Sequence, residues 1–310
     1  MTVGIATLAQ NGTLVFAADR MLTRGATQTE PGRSKIYWWP DPIPHTVLWA
    51  GSAATYGEVI QMYRRTVGPH SRGKYPTIHS LVEAYSKCFS EMVGARAERD
   101  LLGRLGMTRQ SLTSSGVPHD RAMALISQVF EYALPSDDDV HLILAGHDAH
   151  GVHIWTIHNE APSCHDVECF ASVGEGWEHA DAQLRFAGFT SNRSAPEALT
   201  LAHFAKRRAE SAPTVGRATD IRIGGADGIF SAIPEEWVAS LDKTYDDFVI
   251  AERKSLERAI GEATSFMEEI NRQMVANAVP TAAVTPVEGQ QPPSESKHDQ
   301  PSPPPSQASS

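Results

Sequence analysis

A threonine, an aspartate and a lysine near the N-terminus have the types and spacing for one particular chemistry, attack on an amide by a threonine hydroxyl. That hydroxyl is a poor nucleophile at neutral pH and needs a base to take its proton. When the threonine is itself the first residue, its own amine, with a reference pKa of roughly 7.7–8.0, stands beside the hydroxyl and can be that base. Thr2 follows Met1 directly, and a small residue at position two lets aminopeptidases remove the methionine, so the expected mature chain begins at Thr2. The amine works better when a neighbouring cation keeps it partly deprotonated, and that cation must in turn be held by a carboxylate. Asp19 and Lys35 are the candidates: Asp19 ends the second apolar segment of the chain, and Lys35, preceded by Ser34, begins the next.

Such groups need a scaffold, and the apolar pattern supplies one. Residues 3–9 and 14–18 are rich in small and branched apolar side chains, and Gln10-Asn11-Gly12 between them has the chemistry of a tight turn, so a β-hairpin brings Asp19 beside the start of the chain. Lys35-Ile36-Tyr37-Trp38-Trp39 and Thr46-Val47-Leu48-Trp49-Ala50 read as two further strands, parted by Pro40, Pro42 and Pro44, which cannot sit inside a central strand. Tyr56, Val59, Ile60 and Tyr63 keep the spacing of an amphipathic helix, as do Ile78, Leu81, Val82 and Tyr85. The stretch 93–135, polar and broken by Gly and Pro before a helical segment at 123–134, reads as an insertion. Strands resume at 140–144, with a hairpin partner at 151–157, and again at 167–173. Helices follow at 174–186 and 196–210, the second opening on the capping box Ser194-x-x-Glu197, and strands at 220–224 and 228–232 close the pattern. Strands then helices, twice over, predict an α+β protein with sheets packed between helical layers.

The domain expected on this pattern spans 1–233. A helix over 234–279 follows, with Leu256, Ile260, Ala263, Met267, Ile270 and Met274 at the alternating steps of a coiled-coil seam. Residues 280–310 shift to Pro, Ser and Gln, which bury too little apolar area to offset the entropy of ordering, and predict a disordered tail. The 310 residues carry 27 Lys and Arg against 37 Asp and Glu, a formal charge of −10 that argues against a nucleic-acid partner. Three cysteines, Cys88, Cys164 and Cys169, make no disulfide framework, and no apolar run approaches the roughly 18 residues of a membrane span, so a cytoplasmic location with no membrane partner is expected.

The stretches "FAADR", "SKIY" and "AGSAATYGEVI", together with the Thr behind Met1 and the Gly-turned hairpin, resemble the β-type subunits of the proteasome and their bacterial relatives, which are N-terminal-nucleophile hydrolases. The Met-Thr start is most similar to the bacterial proteasome-like group, and the resemblance runs from about Thr2 to Ile223, with the same sixteen-residue step from Asp19 to Lys35. It implies a four-layer αββα sandwich and a threonine-type peptidase or amide hydrolase in a homo-oligomer, acting on a peptide or protein substrate without a cofactor; no motif specifies an ATPase or adaptor partner. It makes Thr2 the nucleophile, its amine the general base, Lys35 the cation that lowers the nucleophile's pKa, Asp19 the partner that orients Lys35, and Gly51 the donor of a backbone N–H to the oxyanion. Leu22, Arg33, Tyr37, Trp49 and Ala53 are implied for the substrate pocket. There Arg33 offers a bidentate partner for a carboxylate and predicts some preference for acidic or polar residues.

Two stretches depart from the family. Glu175 in Gly174-Glu175-Gly176 replaces a serine that supports the amine, and Ala212-Pro213-Thr214-Val215-Gly216 lacks the polar side chains of the family's Asp-x-x-Ser-Gly. Glu175 either takes over hydrogen bonding to the amine or is a solvated acid at a helix start. The competing reading is a catalytically inactive assembly or adaptor subunit that keeps the fold. The histidines at 147, 150 and 153, with Cys164, His165 and Cys169, are scattered by a turn and by alternating strand faces, and no metal site is expected from them.

Overall fold

The computed structural model describes residues 3–24, 27–29, 34–71, 73–114, 117–135, 138–158, 161–225 and 230–277. Thr2, Arg33 and the expected tail over 280–310 lie outside the described residues. The chain divides at Ile250/Ala251 into two compact units.

In the first unit the opening hairpin forms as the turn chemistry requires. Strands β1 (Val3–Leu8) and β2 (Leu14–Asp19) pair antiparallel, with Gly4 opposite Ala18, and the chain reverses through Asn11 and Gly12, both at positive φ. Two three-residue strands follow, β3 (Leu22–Arg24) and β4 (Thr27–Thr29), which pair with each other. Next come β5 (Ile36–Trp39), β6 (His45–Gly51) and the helices α1 (Ala53–Thr66) and α2 (Ile78–Ala97). The expected insertion carries α3 (Arg109–Ser114) and α4 (His119–Phe130). Strands β7 (Val140–Asp148), β8 (Gly151–His158), β9 (Ala161–Cys164) and β10 (Phe170–Gly174) lead to α5 (Trp177–Phe186) and α6 (Ala195–Ala209). Strands β11 (Thr219–Gly224) and β12 (Phe230–Ala232) precede α7 (Glu235–Asn277).

Among the described residues these strands make two five-stranded sheets, β10-β1-β2-β11-β12 and β5-β6-β7-β8-β9, accompanied by seven α-helices. Strand alternation divides the apolar side chains between separate clusters. Val3, Ile5, Val15, Ala17 and Ile221 meet Ala180 and Leu184 of α5 and Ala198, Ala202 and Ala205 of α6. Val47, Trp49, Leu142 and Leu144 meet Tyr56, Val59 and Tyr63 of α1 and Leu81 and Tyr85 of α2. A further cluster draws on strands of both sheets, with Ala6, Phe16 and Ala18 from one and Leu48, Ala50 and Ile143 from the other. Each large side chain fully buried in these clusters contributes about 1.5–3 kcal/mol. Gly4 lets the sheets approach: a Cβ there would stand 1.9 Å from Cδ2 of the fully buried Leu48, whose side chain would have to shift. In the insertion, Ala97, Leu102, Leu112 and Val129 form a small apolar cluster of their own. No helix among the described residues is long and apolar enough to cross a membrane.

Candidate active site

Asp19 stands at the end of β2, and Lys35 at the entry to β5, where both side chains are carried into the interior; Asp19 is 0% exposed and Lys35 2%. Lys35 Nζ donates to Asp19 Oδ1 at 3.2 Å and also to the Met21 carbonyl. The same Oδ1 accepts the backbone N–H of Val3 at 3.1 Å, and Oδ2 accepts that of Gly216 at 3.0 Å. One carboxylate thus ties the first residue of β1, the lysine and the loop before β11 together. Burial pushes the Asp19 carboxyl above its ordinary value, while the Lys35 charge and the Gly216 amide pull it back.

The loop that supplies Gly216 is itself anchored by a second buried lysine. Lys206, on α6, donates to the Arg217 carbonyl and to Glu210 Oε1, both at 2.7 Å. Its burial lowers its pKa, and Glu210 opposes that shift. The i, i+4 pairing with Glu210 is visible in the sequence, yet its burial depends on α6 packing on the sheet. Sequence reasoning missed Lys206 for that reason.

Gly51 closes β6 with φ +104, opposite Val140 on β7. A Cβ there would lie 2.2 Å from the Asp139 carbonyl oxygen, which accepts the N–H of Ser52 at 2.8 Å, so the turn into α1 admits only glycine at this position. Ser52 then caps α1, its hydroxyl accepting from Thr55 N at 3.3 Å. The expected pocket residues divide. Lys35 Nζ lies 5.9 Å from the centre of the Trp49 ring; Trp49 is buried and stacks on Tyr56 at 4.7 Å, and Tyr37 stacks on the same tyrosine at 6.1 Å. Ala53 is exposed at the start of α1, and the backbone of Leu22 lies on β3. Arg33, like the expected nucleophile Thr2, is outside the described residues.

Glu175 follows Gly174, which is paired with Val3, and accepts a hydrogen bond from the Thr214 hydroxyl. The two stretches that depart from the family pattern are therefore bonded to each other. The turn histidines take separate partners. His147 bonds to the Gly12 carbonyl at 2.7 Å, and His153 bonds to Asp166 at 2.6 Å and to Asp148 at 3.3 Å. A different trio, Asp139, His141 and His158, has ligand atoms that all lie within 4.8 Å of one another. Only the register of β7 on β8, which sets His141 directly opposite His158, brings these residues together.

No protein-family model and no curated protein sequence matches the chain. Solved structures match through the fold. One is Anbu (ancestral beta-subunit) from Yersinia bercovieri, at 14% identity and a TM-score of 0.58, covering 81% of this chain and 95% of that one. Another is Anbu from Hyphomicrobium sp. strain MC1, at 16% identity and a TM-score of 0.57, covering 82% of this chain and 97% of that one. At these identities the likeness shows the fold alone: the chain shares the architecture of the Anbu structures.

Proposed function

We propose that this chain is a threonine-type peptidase or amide hydrolase whose nucleophile is Thr2, freed by removal of Met1, working in a homo-oligomer in the cytoplasm. The observation that carries the reading is the Asp19 carboxylate: it holds the Lys35 ammonium and the amide of Val3, the residue next to Thr2, in one buried group. The apolar clusters support a four-layer order of helices, sheet, sheet and helices.

In this mechanism the Thr2 hydroxyl attacks the scissile carbonyl carbon while the Thr2 amine takes its proton. The Gly51 N–H donates to the oxyanion, and the amine then protonates the departing amine of the substrate. A water molecule, deprotonated by the same amine, attacks the resulting ester and releases the acid. The fixed positive charge of Lys35 favours the neutral amine and stabilises negative charge developing on the threonine oxygen. Asp19 keeps the lysine aimed. Arg33 gives the site its preference for acidic or polar residues in the substrate.

The non-catalytic reading, an assembly or adaptor subunit, draws on the Glu175–Thr214 hydrogen bond, which engages the acid that stands where the family has its supporting serine. Two variants separate the readings in a fluorogenic peptide assay. Thr2→Ala removes the hydroxyl, and an uncleavable residue placed before Thr2 removes the free amine without touching the hydroxyl. Each is expected to abolish turnover while leaving the circular dichroism spectrum and melting temperature unchanged. Full activity with a blocked N-terminus would sink the mechanism, and a purified protein whose mass retains Met1 would select the adaptor.

A further inference from the structure

We infer that Asp139, His141 and His158 form a binding site for a divalent transition metal such as Zn²⁺, lying against the turn that carries Gly51. The trio assembles because β7 and β8 pair antiparallel with His141 directly opposite His158, while Asp139 immediately precedes β7. Asp139 Oδ2 is 3.0 Å from Nε2 of His158 and 3.5 Å from Nε2 of His141. A tetrahedral ion with metal–ligand distances of about 2.0–2.2 Å sets neighbouring donors about 3.3–3.6 Å apart, so the carboxylate stands near coordination spacing from both imidazoles. The two rings lie face to face, with centroids 4.1 Å apart and planes within 6°. Metal binding turns them about χ2 until their lone pairs converge, and the side chains have room to turn, because His158 is 54% exposed and His141 32%.

The donor set selects the ion. Two imidazoles and one carboxylate suit Zn²⁺, Co²⁺ or Ni²⁺, whereas Mg²⁺ and Ca²⁺ prefer oxygen alone. Three protein ligands leave a fourth position open to water. The location gives the ion a structural consequence: the carbonyl of Asp139 accepts the Ser52 N–H at 2.8 Å, and Val140 pairs with Gly51, so an ion clamping the Asp139 side chain also stiffens the strand-to-helix turn at Gly51. This site does not depend on the peptidase reading, and its test needs no turnover.

Tag-free full-length protein, stripped with EDTA and dialysed, is titrated with ZnCl₂ by calorimetry, and bound Co²⁺ is followed by its visible d–d absorption. The expected result is one ion per chain, a melting temperature raised by Zn²⁺ but not by Mg²⁺, and binding weakened about tenfold or more by His158→Ala or His141→Ala. His153→Ala, in the neighbouring histidine-rich hairpin, should bind as the wild type does. Melting of the metal-free variants at the wild-type temperature shows that loss of binding is not loss of fold, and His158→Gln serves where His158→Ala melts low. The site is overturned by absence of Zn²⁺ uptake, by uptake that survives both His141→Ala and His158→Ala, or by uptake abolished in His153→Ala.

Discussion

A carboxylate that accepts from Lys35, Val3 and Gly216 at once cannot be exchanged for its amide without conflict. Asparagine at position 19 has one oxygen and one NH₂ group. Whichever way it turns, the NH₂ faces either the Gly216 N–H or the pair formed by Lys35 Nζ and the Val3 N–H, and the lysine loses its buried counter-charge. Breaking a buried ion pair by removing one partner costs about 3–5 kcal/mol. Asp19→Asn is therefore expected to lower the free energy of unfolding by about that much in a denaturant titration. A change within about 1 kcal/mol would show that the Asp19 network is not the support described here. The pairing of Asp19 with Lys35 was legible from the cation and carboxylate that a threonine nucleophile needs and from the sixteen-residue step shared with the resembling family. Lys206 and the Glu175–Thr214 bond were not, because each joins segments distant in sequence through packing that no local pattern encodes.

At the scale of single elements, β6 shows how a buried polar residue couples a strand to pH. His45 opens the strand and is fully buried; its Nδ1–H donates to the Ile43 carbonyl at 2.8 Å, and its Nε2 accepts from the Tyr63 hydroxyl at 3.2 Å. Accepting from Tyr63 requires a neutral ring, whereas the bond to Ile43 favours the charged one; burial outweighs it and lowers the pKa to about 4 from an ordinary 6.5. The unfolded chain therefore binds more protons than the folded one between those values. The contribution of His45 is intact above pH 6.5 and is lost as pH falls toward 4, by about 3 kcal/mol at the lower end. Wild type minus His45→Gln, compared by denaturant titration from pH 7.5 to 4, should show that slope; a flat difference would remove His45 from the acid limb. Strands of this kind, apolar and continuous, are the part of the fold that the residues announce. The hairpin of β3 and β4 went unread because three residues per strand, with Leu22 the one apolar side chain among the six, carry no pattern. The strand expected at 167–173 begins only at Phe170, since Cys169 takes φ 63 in the preceding turn. The insertion looked merely polar because Leu102, Leu112 and Val129 come from separate short segments and share no period.

At the scale of the whole molecule, α7 belongs to both units, and its two parts have different chemistry. Up to Ile250 it is anchored. Val238 joins an apolar cluster, Asp242 bonds His203 at 3.0 Å and Arg207 at 2.7 Å, and Tyr245 and Phe248 meet Phe204. From Ala251 onward the helix carries Leu256, Ile260, Met267 and Met274, all more than half exposed, and with Ala263 and Ile270 between them they keep the alternating four- and three-residue steps of a coiled-coil seam. An apolar stripe repeated over that length reaches its stability by burial against another helix rather than from helix propensity. A second copy of this chain, offering the same seam, satisfies that need and agrees with the proposed homo-oligomer. Truncation after Ile250 retains the contacts with Phe204 and Arg207, so the shortened chain should unfold at close to the wild-type temperature while light scattering reports a smaller assembly. If the mass were unchanged, the subunit body would be making the assembly and the seam would have another partner; a collapse in melting temperature would mean instead that residues beyond 250 are needed to hold the body together.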